Sequence, residues 1–332
     1  MKSRYSFVDT ALQSLVLLLF IASAAFAQQQ SAAKTSAPAA QGPKMFDSAE
    51  SAANAFLDAV ENYDVAKLLE IFGPNGKDLV SSSDPVRDKT NAEEFAAHAR
   101  EKHEVAIDPK NKSRAILLIG NNDWPFPVPI VKKGAKWQFD DTEGHKEILY
   151  RRIGANELDA IQVCRGFVEA QKDYASVIHD DSGVNQYAQK IFSTPGKHDG
   201  LYWQNQDGTS GGPVGEAVAR AIEEGYSAEK GSGYHGYYFK VLKGQGPAAP
   251  LGQLDYVVEG IMIGGFALVA VPAQYRVTGV KTFMVSYNGV VYQKDLGPDS
   301  LDIVKKMERY NPDKTWHPTN DEWPDNAVAT AE

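Results

Sequence analysis

Cysteine is almost missing from this chain: its 332 residues include one, Cys164. An intramolecular disulfide is therefore excluded, and so is a zinc site built on paired cysteines. The sequence also lacks His-x-x-x-His and His-Glu-x-x-His, the spacings that place two zinc ligands on one helix face. Because Cys164 lies on the apolar stripe of a predicted helix, we interpret it as a packed core thiol rather than a reactive one. We therefore expect no metal site and no cofactor.

Motifs of nucleophilic and phosphate chemistry are absent as well. There is no Gly-x-Ser-x-Gly, and the two Gly-Lys segments at residues 73–78 and 194–198 lack the spacing of a phosphate-binding loop. Asp180-Asp181-Ser182-Gly183 is rich in oxygen ligands but lacks the alternating spacing of a calcium loop, so we favour a solvated turn. Seven histidines are scattered along the chain without a visible triad. If the N-terminal half is catalytic, its candidate acids and bases are His98, His103, His145 and Asp123.

Positive charge is in the minority, with 34 Lys and Arg against 43 Asp and Glu, and the formal net charge is −9. Loss of residues 1–27, which carry Lys2, Arg4 and Asp9, changes it to −10. An acidic chain is repelled by phosphate backbones and by anionic lipid headgroups. Nucleic acid is therefore not an expected partner.

Long apolar runs are confined to the N-terminus. An apolar stretch at residues 15–22 follows Lys2 and Arg4 and precedes the small-residue pattern Ala25-Phe26-Ala27. The stretch is shorter than a transmembrane helix, which needs roughly 20 apolar residues, and is typical of a secretory signal peptide cleaved between Ala27 and Gln28. The alternative is an uncleaved anchor. Because no cysteine stands at the cut to carry a lipid, we expect a periplasmic or secreted protein with no stable membrane anchor after cleavage.

The rest of the chain divides by composition into four parts. Residues 28–44 form a linker of Gln, Ser, Ala and Pro that is too poor in large apolar side chains to fold. Residues 45–153 and 154–310 are two predicted α+β domains. Residues 311–332 are a polar acidic tail that we predict to be disordered. The expected fold class is therefore α+β.

In the first predicted domain, helical patterns at residues 48–60, 65–72 and 91–101 precede strand patterns at residues 115–119, 128–132 and 136–140. Asp47 or Ser48 is a candidate cap of the first helix, and Asp64 of the second. This order resembles the cone-shaped domains of the nuclear-transport-factor-2-like superfamily. The resemblance implies a curved sheet wrapped around a helix, with a pocket that serves catalysis, a ligand or a partner.

A connecting helix at residues 142–153 is predicted to end the first domain. The second domain then opens with a separate, longer helix that Asn156 caps, with the acidic Asp159 three positions on. On this helix Ile161, Cys164 and Val168 share one face. Strand patterns follow at residues 234–242, 254–259, 265–271, 281–287 and 290–294, and a helix at 299–310. Asn288-Gly289 predicts a type I′ hairpin turn. One long helix followed by antiparallel strands resembles the globular heads of type IV pilins and pseudopilins over residues 155–297. Since the leader and stem of a pilin are missing, the resemblance does not imply fibre formation.

Six further segments are spread over nearly the whole chain. They are Gly73-Pro-Asn-Gly-Lys-Asp-Leu, Asn122-Asp-Trp-Pro-Phe-Pro-Val-Pro, Arg151-Arg-Ile-Gly-Ala-Asn-Glu-Leu-Asp, Ser193-Thr-Pro-Gly-Lys-x-Asp-Gly-Leu-Tyr-Trp, Gly233-Tyr-His-Gly-Tyr-Tyr and Lys294-Asp-Leu-Gly-Pro. In these segments the chain resembles a family of exported bacterial proteins catalogued as domain of unknown function 2950. The resemblance implies no particular activity.

Three segments mix aromatic and polar side chains in a way that suits a ligand or a partner surface. In the first, Asp123 and Trp124 open a stretch with three prolines, which is either a protected edge strand or a ridge presented to a partner. The second is the loop at residues 197–203. The third is a predicted strand at residues 234–238, with Tyr234 and Gly236 on one face. For the last two the alternative is simple packing. Their candidate residues are Lys197, His198, Asp199, Tyr202, Trp203, Tyr234, His235 and Tyr237.

The export signal, the missing catalytic motifs and the two partial resemblances favour a non-enzymatic binding or envelope-associated protein. Its expected partner is an envelope protein or a small polar ligand. The alternative is an extracytoplasmic hydrolase or isomerase with its site in the first domain. A pocket that holds a histidine and a carboxylate in hydrogen-bond reach, with perturbed pKa values, favours the enzyme, and a cavity packed with apolar side chains excludes it.

Overall fold

A computed structural model describes residues 42–82, 84–179, 183–215, 219 and 233–319. The predicted signal peptide, its cleavage site at Ala27 and Gln28, most of the predicted linker and the segment Asp180-Asp181-Ser182 lie outside these residues. The chain separates into two compact units, residues 1–151 and residues 152–332. Within the described ranges, no helix is long and apolar enough to cross a membrane.

The α-helices described in the first unit are α1 (Ala49–Glu61), α2 (Val65–Phe72), the single turn α3 (Lys77–Val80) and α4 (Pro85–Glu101). Three of these four begin at a side-chain cap, and α3, which follows Gly76, does not. Ser48 caps α1 and Asp64 caps α2, as predicted. The predicted third helix starts too late, because Asp84 caps α4 by accepting from two backbone N–H groups and Pro85 stands at its first turn, where proline is favoured.

The sheet of the first unit is antiparallel. Its strands are β1 (His103–Ile107), β2 (Arg114–Ile119), β3 (Trp124–Pro125), β4 (Ile130–Lys133) and β5 (Lys136–Phe139). The order is β1-β2-β4-β5, and β3 pairs with the end of β2. Alternate residues of β2 are buried, so this sheet turns one face to the core.

An aromatic cluster fills that core. The ring centroid of Phe56 on α1 lies between 4.7 and 5.7 Å from those of Phe72, Phe95, Phe126 and Phe139. Offset and edge-on ring pairs at these distances stabilise a core beyond their buried area. The rings come from α1, α2, α4, β5 and the segment after β3, so the cluster joins three helices to the sheet.

The second unit begins in α5 (Asp141–Tyr174), a single helix of 34 residues that runs through the division between the units. The prediction of two helices with a break near residue 155 is wrong. Asn156, the predicted cap, instead donates its side-chain N–H to the carbonyl of Thr278 at 2.8 Å. Glu157 accepts from the backbone N–H groups of Val280 and Lys281, both at 2.9 Å. The helix contains no proline, and Gly154 alone costs only about 1 kcal/mol relative to alanine.

Short strands and a further helix follow α5 in the part of the second unit that the structure describes. A five-stranded antiparallel sheet has the order β17 (His317–Pro318), β16 (Tyr292–Lys294), β15 (Thr282–Ser286), β14 (Ala267–Pro272), β9 (Tyr237–Leu242). The smaller groups are β6 (Lys190–Phe192) with β7 (Gly200–Gln204) and β8 (Ser210–Gly211), β10 (Gly244–Gln245) with β11 (Leu254–Asp255), and β12 (Val257–Val258) with β13 (Ile261–Met262). The helix α6 is Ser300–Lys306.

The core of this unit lies against β14 and β15, in which every residue is buried. Ile161, Cys164 and Val168 of α5 belong to the same apolar cluster, as their helical spacing predicts. Gln171 is also fully buried, and its amide forms two hydrogen bonds of 2.8 Å with the backbone of Ala188. Helices and antiparallel sheets in both units confirm the α+β class.

Part of the predicted tail is ordered. Residues 311–319 include β17, which pairs with β16, and the N–H of Thr319 donates to the carbonyl of Val291 at 2.9 Å. Trp316 is 7% exposed. The prediction of disorder is wrong for this stretch, because one large apolar ring and an edge strand tie an otherwise polar segment to the sheet.

Two hairpin turns differ from the prediction. At Asn288-Gly289 only Gly289 has a positive φ, of 75°, so the turn is not type I′. At His235-Gly236 both residues have positive φ, of 46° and 75°, and Tyr234 and Tyr237 exchange both backbone hydrogen bonds across them. His235-Gly236 is therefore the two-residue turn in which both φ angles are positive, as in type I′. The predicted continuous strand through residues 234–238 is therefore wrong, and β9 begins at Tyr237.

Candidate binding site

A cavity of about 100 Å³ lies inside the first unit. Its walls come from α1 to α4, the first part of α5 and the segment around β3, and most of its lining is apolar. Aromatic rings form much of the surface: Phe56, Phe72, Phe95, Trp124 and Phe126. The polar residues that reach it are Tyr63, Asp88 and Asn91. Such a lining binds an apolar group by the hydrophobic effect and leaves few places for polar recognition.

Asp88 is the carboxylate of this lining, and it is already occupied with hydrogen bonds. Its side chain accepts from the backbone N–H of Ser82 at 2.8 Å and from the Ser82 hydroxyl at 2.7 Å. Asp88 is 8% exposed. Burial and the nearby Asp88 charge raise the pKa of Tyr63, whose hydroxyl donates to the carbonyl of Pro85 at 3.3 Å. Both polar groups thus hold the segment that leads into α4.

None of the predicted histidines is among the described residues that line the cavity. His98 on α4 faces Glu101, with Nδ1 3.8 Å from the carboxylate. His103 Nδ1 lies 2.9 Å from the carbonyl of Ala99.

His145 and Asp123 also have other partners. His145 Nδ1 lies 2.6 Å from the carbonyl of Asp141, and its Nε2 lies 3.6 Å from the carboxylate of Asp78. Asp123 forms an ion pair with Lys102 at 2.6 Å, and this pairing raises the pKa of Lys102. The described contacts place all three candidate histidines beside groups other than Asp123.

The loop before β7 is organised by Asp199. Its carboxylate accepts from the N–H and the hydroxyl of Thr194, both at 2.7 Å, and from Lys190 Nζ at 2.9 Å. Burial raises the pKa of Asp199, but these hydrogen bonds outweigh it and lower the pKa overall. Lys197 is exposed at the tip of the loop. Asp199 thus acts as an internal brace of the loop.

The aromatic residues of this loop are packed. Tyr202 is 2% exposed and its ring lies 4.8 Å from that of Phe192. Trp203 lies against the backbone of Gly211 so closely that a Cβ there would be 2.3 Å from the indole nitrogen. The ring of His198 meets Trp203 edge-on at 4.8 Å. These contacts hold the loop on the β7–β8 pair.

The third predicted segment joins α5 through its turn. His235 Nδ1 lies 2.6 Å from the carboxylate of Asp159, and the ring of Tyr234 meets His235 edge-on at 4.3 Å. The Asp159 hydrogen bond raises the pKa of His235. Tyr237 is fully buried, and its hydroxyl donates to the carbonyl of Lys281 at 2.8 Å, so it belongs to the core and not to a surface platform.

Sequence reasoning missed the partners in this cluster. Asp159 and Asn156 were assigned to a helix start, yet they meet the 235–236 turn: a Cβ on Gly236 would stand 2.6 Å from Asn156 Nδ2. The available signal was that both sides lie in segments that carry the family resemblance, residues 151–159 and 233–238. The structure brings these two segments together at the 235–236 turn.

The chain belongs to the family described as Protein of unknown function (DUF2950), whose match covers residues 43–319. This confirms the family resemblance seen in the six sequence segments. Comparison with the curated proteins and with the solved structures gives no match. The resemblances to nuclear-transport-factor-2-like domains and to pilin heads stay predictions.

Proposed function

We propose that this protein is exported by its N-terminal signal peptide and acts as a non-enzymatic binding protein, with two α+β domains at residues 45–153 and 154–310. Its ligand carries a small apolar group that enters the cavity of the first unit. The observation that supports this proposal is the lining of that cavity, which is rich in aromatic rings and whose carboxylate, Asp88, is already hydrogen-bonded. An apolar ligand group replaces the small polar ligand that the sequence suggested.

The cavity volume limits the size of that group. An engineered apolar cavity of about 150 Å³ binds benzene, so a cavity of about 100 Å³ suits a single small ring or a short branched chain. Burial contributes roughly 25 cal/mol per Å² of apolar surface, from which the costs of association must be subtracted. We therefore expect weak binding of isolated small molecules, and tighter binding of a larger ligand that also contacts the surface.

The test uses two leucine substitutions on α4. Ala92 lines the cavity, and Ala97 is exposed on the same helix. Benzene and the smaller ring cyclopentane are titrated while protein NMR shifts are followed in the wild type, Ala92→Leu and Ala97→Leu. We expect saturable shifts at cavity residues that disappear in Ala92→Leu and persist in Ala97→Leu. Binding that is absent in the wild type, or equal in both variants, would contradict the proposal.

The enzyme alternative requires a proton donor or acceptor that is available at the cavity. Asp88 is the carboxylate there, and both of its oxygens accept hydrogen bonds from Ser82. The arrangement therefore supports retention of a ligand better than acid–base chemistry on it. Export is tested separately: mass spectrometry of the protein from the periplasm and the medium should find an N-terminus at Gln28, and a peptide that retains Met1 would overturn export by cleavage.

A further inference from the structure

Two turns lie side by side at one end of the first unit's sheet. Residues 108–113 connect β1 to β2, and Gly134-Ala135 connect β4 to β5 between the paired residues Lys133 and Lys136. The register Arg114 with Val131 brings the two turns to the same end. The N–H of Lys132 donates to the carbonyl of Ser113 at 2.8 Å, which joins the turns directly.

These turns carry a concentration of positive charge. Four exposed lysines form a group that we call the basic end: Lys110 and Lys112 in the first turn, and Lys132 and Lys133 at the end of β4 beside the second turn. Within the part of the chain that the structure describes, none of the four ammonium groups forms an ion pair with a carboxylate. The neighbouring Lys136 and Arg114 are paired with Asp47 and Asp108 respectively. The basic end therefore carries an uncompensated charge on a chain whose net charge is negative.

Apolar groups accompany the lysines. Ile107, the last residue of β1, is 39% exposed, and Pro109 in the adjacent turn is exposed as well. The Lys132 ammonium lies 6.0 Å from the ring centroid of Trp137, which is partly buried. Lysines around an aliphatic side chain and an indole are typical of surfaces that rest at a lipid–water interface, where the charges meet headgroups and the apolar groups insert.

The negative net charge of the chain does not prevent the basic end from binding an anionic membrane that it touches. In physiological salt the Debye length is about 8 Å, so a membrane that touches the basic end interacts with the nearest charges and hardly with the acidic remainder. Each lysine close to an anionic leaflet contributes about 1 kcal/mol, a factor of about five in the binding constant. Four such residues suffice for reversible attachment, whereas stable anchoring requires more.

We propose that the basic end docks the first unit on the anionic phospholipid headgroups of a membrane surface. A nucleic acid is the less suitable partner, because its phosphates would meet the lysines while Ile107 and Pro109 would gain no apolar contact. This docking is independent of the cavity and can hold with or without an apolar ligand there.

The test is sedimentation with vesicles of phosphatidylglycerol and phosphatidylcholine, using the chain from Gln28 to Glu332 so that the apolar N-terminal segment does not bind. We expect binding that requires phosphatidylglycerol and falls steeply with salt. The triple variant Lys110→Glu, Lys112→Glu, Lys133→Glu should weaken it at least about 100-fold. Ile107→Asn should weaken it by several-fold with an unchanged salt dependence.

The matched control has the same change in net charge at exposed lysines of the second unit. It is the triple variant Lys197→Glu, Lys306→Glu, Lys314→Glu. Retained binding in this control, with loss in the first variant, supports the proposal. Three results would overturn it. They are equal loss of binding in both variants, equally tight binding to vesicles of phosphatidylcholine without phosphatidylglycerol, and tighter binding to duplex DNA than to the vesicles. Circular dichroism of both variants shows that the comparison is between folded proteins.

Discussion

His235 Nδ1 lies 2.6 Å from Asp159 Oδ2, and this pair joins the 235–236 turn to α5. The Asp159 hydrogen bond raises the pKa of His235, although partial burial opposes it. In addition, His235 has a φ of 46°, in a region that non-glycine residues enter only when the surroundings hold them there. The pair and the backbone strain therefore lie at the same position.

We predict that this pair makes stability depend on pH. Since the folded pKa of His235 is raised above its unfolded value of about 6.5, its contribution is fully present below pH about 6.5 and is lost as pH rises through the folded pKa. Both side chains are more than one third exposed, which limits the contribution to about 1 kcal/mol or less. In urea titrations, the free energies of unfolding of the wild type and Asp159→Asn should differ most in mild acid and become equal in mild alkali.

The control for this experiment is Asp302→Asn, an exposed carboxylate on α6. Asp302→Asn should change the free energy of unfolding by the same amount at pH 5.5 and at pH 8, because Asp302 is linked to no histidine titration. Asp159→Asn should change it more at pH 5.5 than at pH 8. NMR titration of the His235 imidazole should show a lower pKa in Asp159→Asn. A His235 pKa that is the same in both proteins contradicts the prediction.

Two glycine substitutions should separate backbone strain from steric overlap. Gly236 and Gly289 have the same φ of 75°, but a Cβ on Gly236 would stand 2.6 Å from Asn156 Nδ2 and 2.8 Å from Thr278 Cβ, while nothing lies within 4 Å at Gly289. We expect Gly289→Ala to lower the free energy of unfolding by about 1–2 kcal/mol and Gly236→Ala by a further 1–3 kcal/mol or so. Denaturant titration measures both, and equal losses would show that the turn moves away from Asn156 without cost.

Asp199 should stabilise its loop without contacting a ligand. Asp199→Ala removes the acceptor of Thr194 and Lys190 and should lower the free energy of unfolding by about 1–3 kcal/mol. Because the folded pKa of Asp199 is lowered, its contribution is present above the unfolded pKa of about 3.9 and is lost as pH falls through the folded value. Lys197→Ala at the exposed tip of the same loop is the control and should change stability by less than about 0.5 kcal/mol. If Lys197→Ala lowers the free energy of unfolding more than Asp199→Ala does, Asp199 is not the brace of the loop.

Cys164 should not react while the protein is folded. The thiol is fully buried, and desolvation raises its pKa to about 12, so almost no thiolate exists near neutral pH. A disulfide reagent such as dithionitrobenzoate should label the native protein only as fast as it unfolds, and should label the guanidinium-unfolded chain at once. Fast, complete labelling in native buffer would place the thiol at the surface.

Local signals predicted several elements correctly. Ser48 and Asp64 cap the helices expected of them, because the side-chain oxygen and the N–H it satisfies lie within three residues. The apolar stripe of α5 faces the core, since helical spacing alone sets which side chains share a face. The family was also recognisable from short segments.

Predictions failed where distant residues compete with local preference. Asn156 is a good helix cap by type, but Thr278 accepts its hydrogen bond and the helix continues. Asn288-Gly289 is a strong type I′ signal, yet the turn with those φ signs formed at His235-Gly236, where the exchange between Tyr234 and Tyr237 and the contact with Asp159 hold it. Neither competitor is visible in the sequence window around the turn.

The sequence by itself determined the α+β class, the family, the starts of α1 and α2 and the absence of familiar catalytic motifs. All of these depend on residue type and short spacing. Only the tertiary structure decided that the cavity of the first unit is lined by aromatic rings, that Asp159 meets His235, and that lysines from the β1–β2 turn and from the end of β4 share one end of a sheet. Such contacts join residues far apart in the chain, and the packing of the whole core selects them.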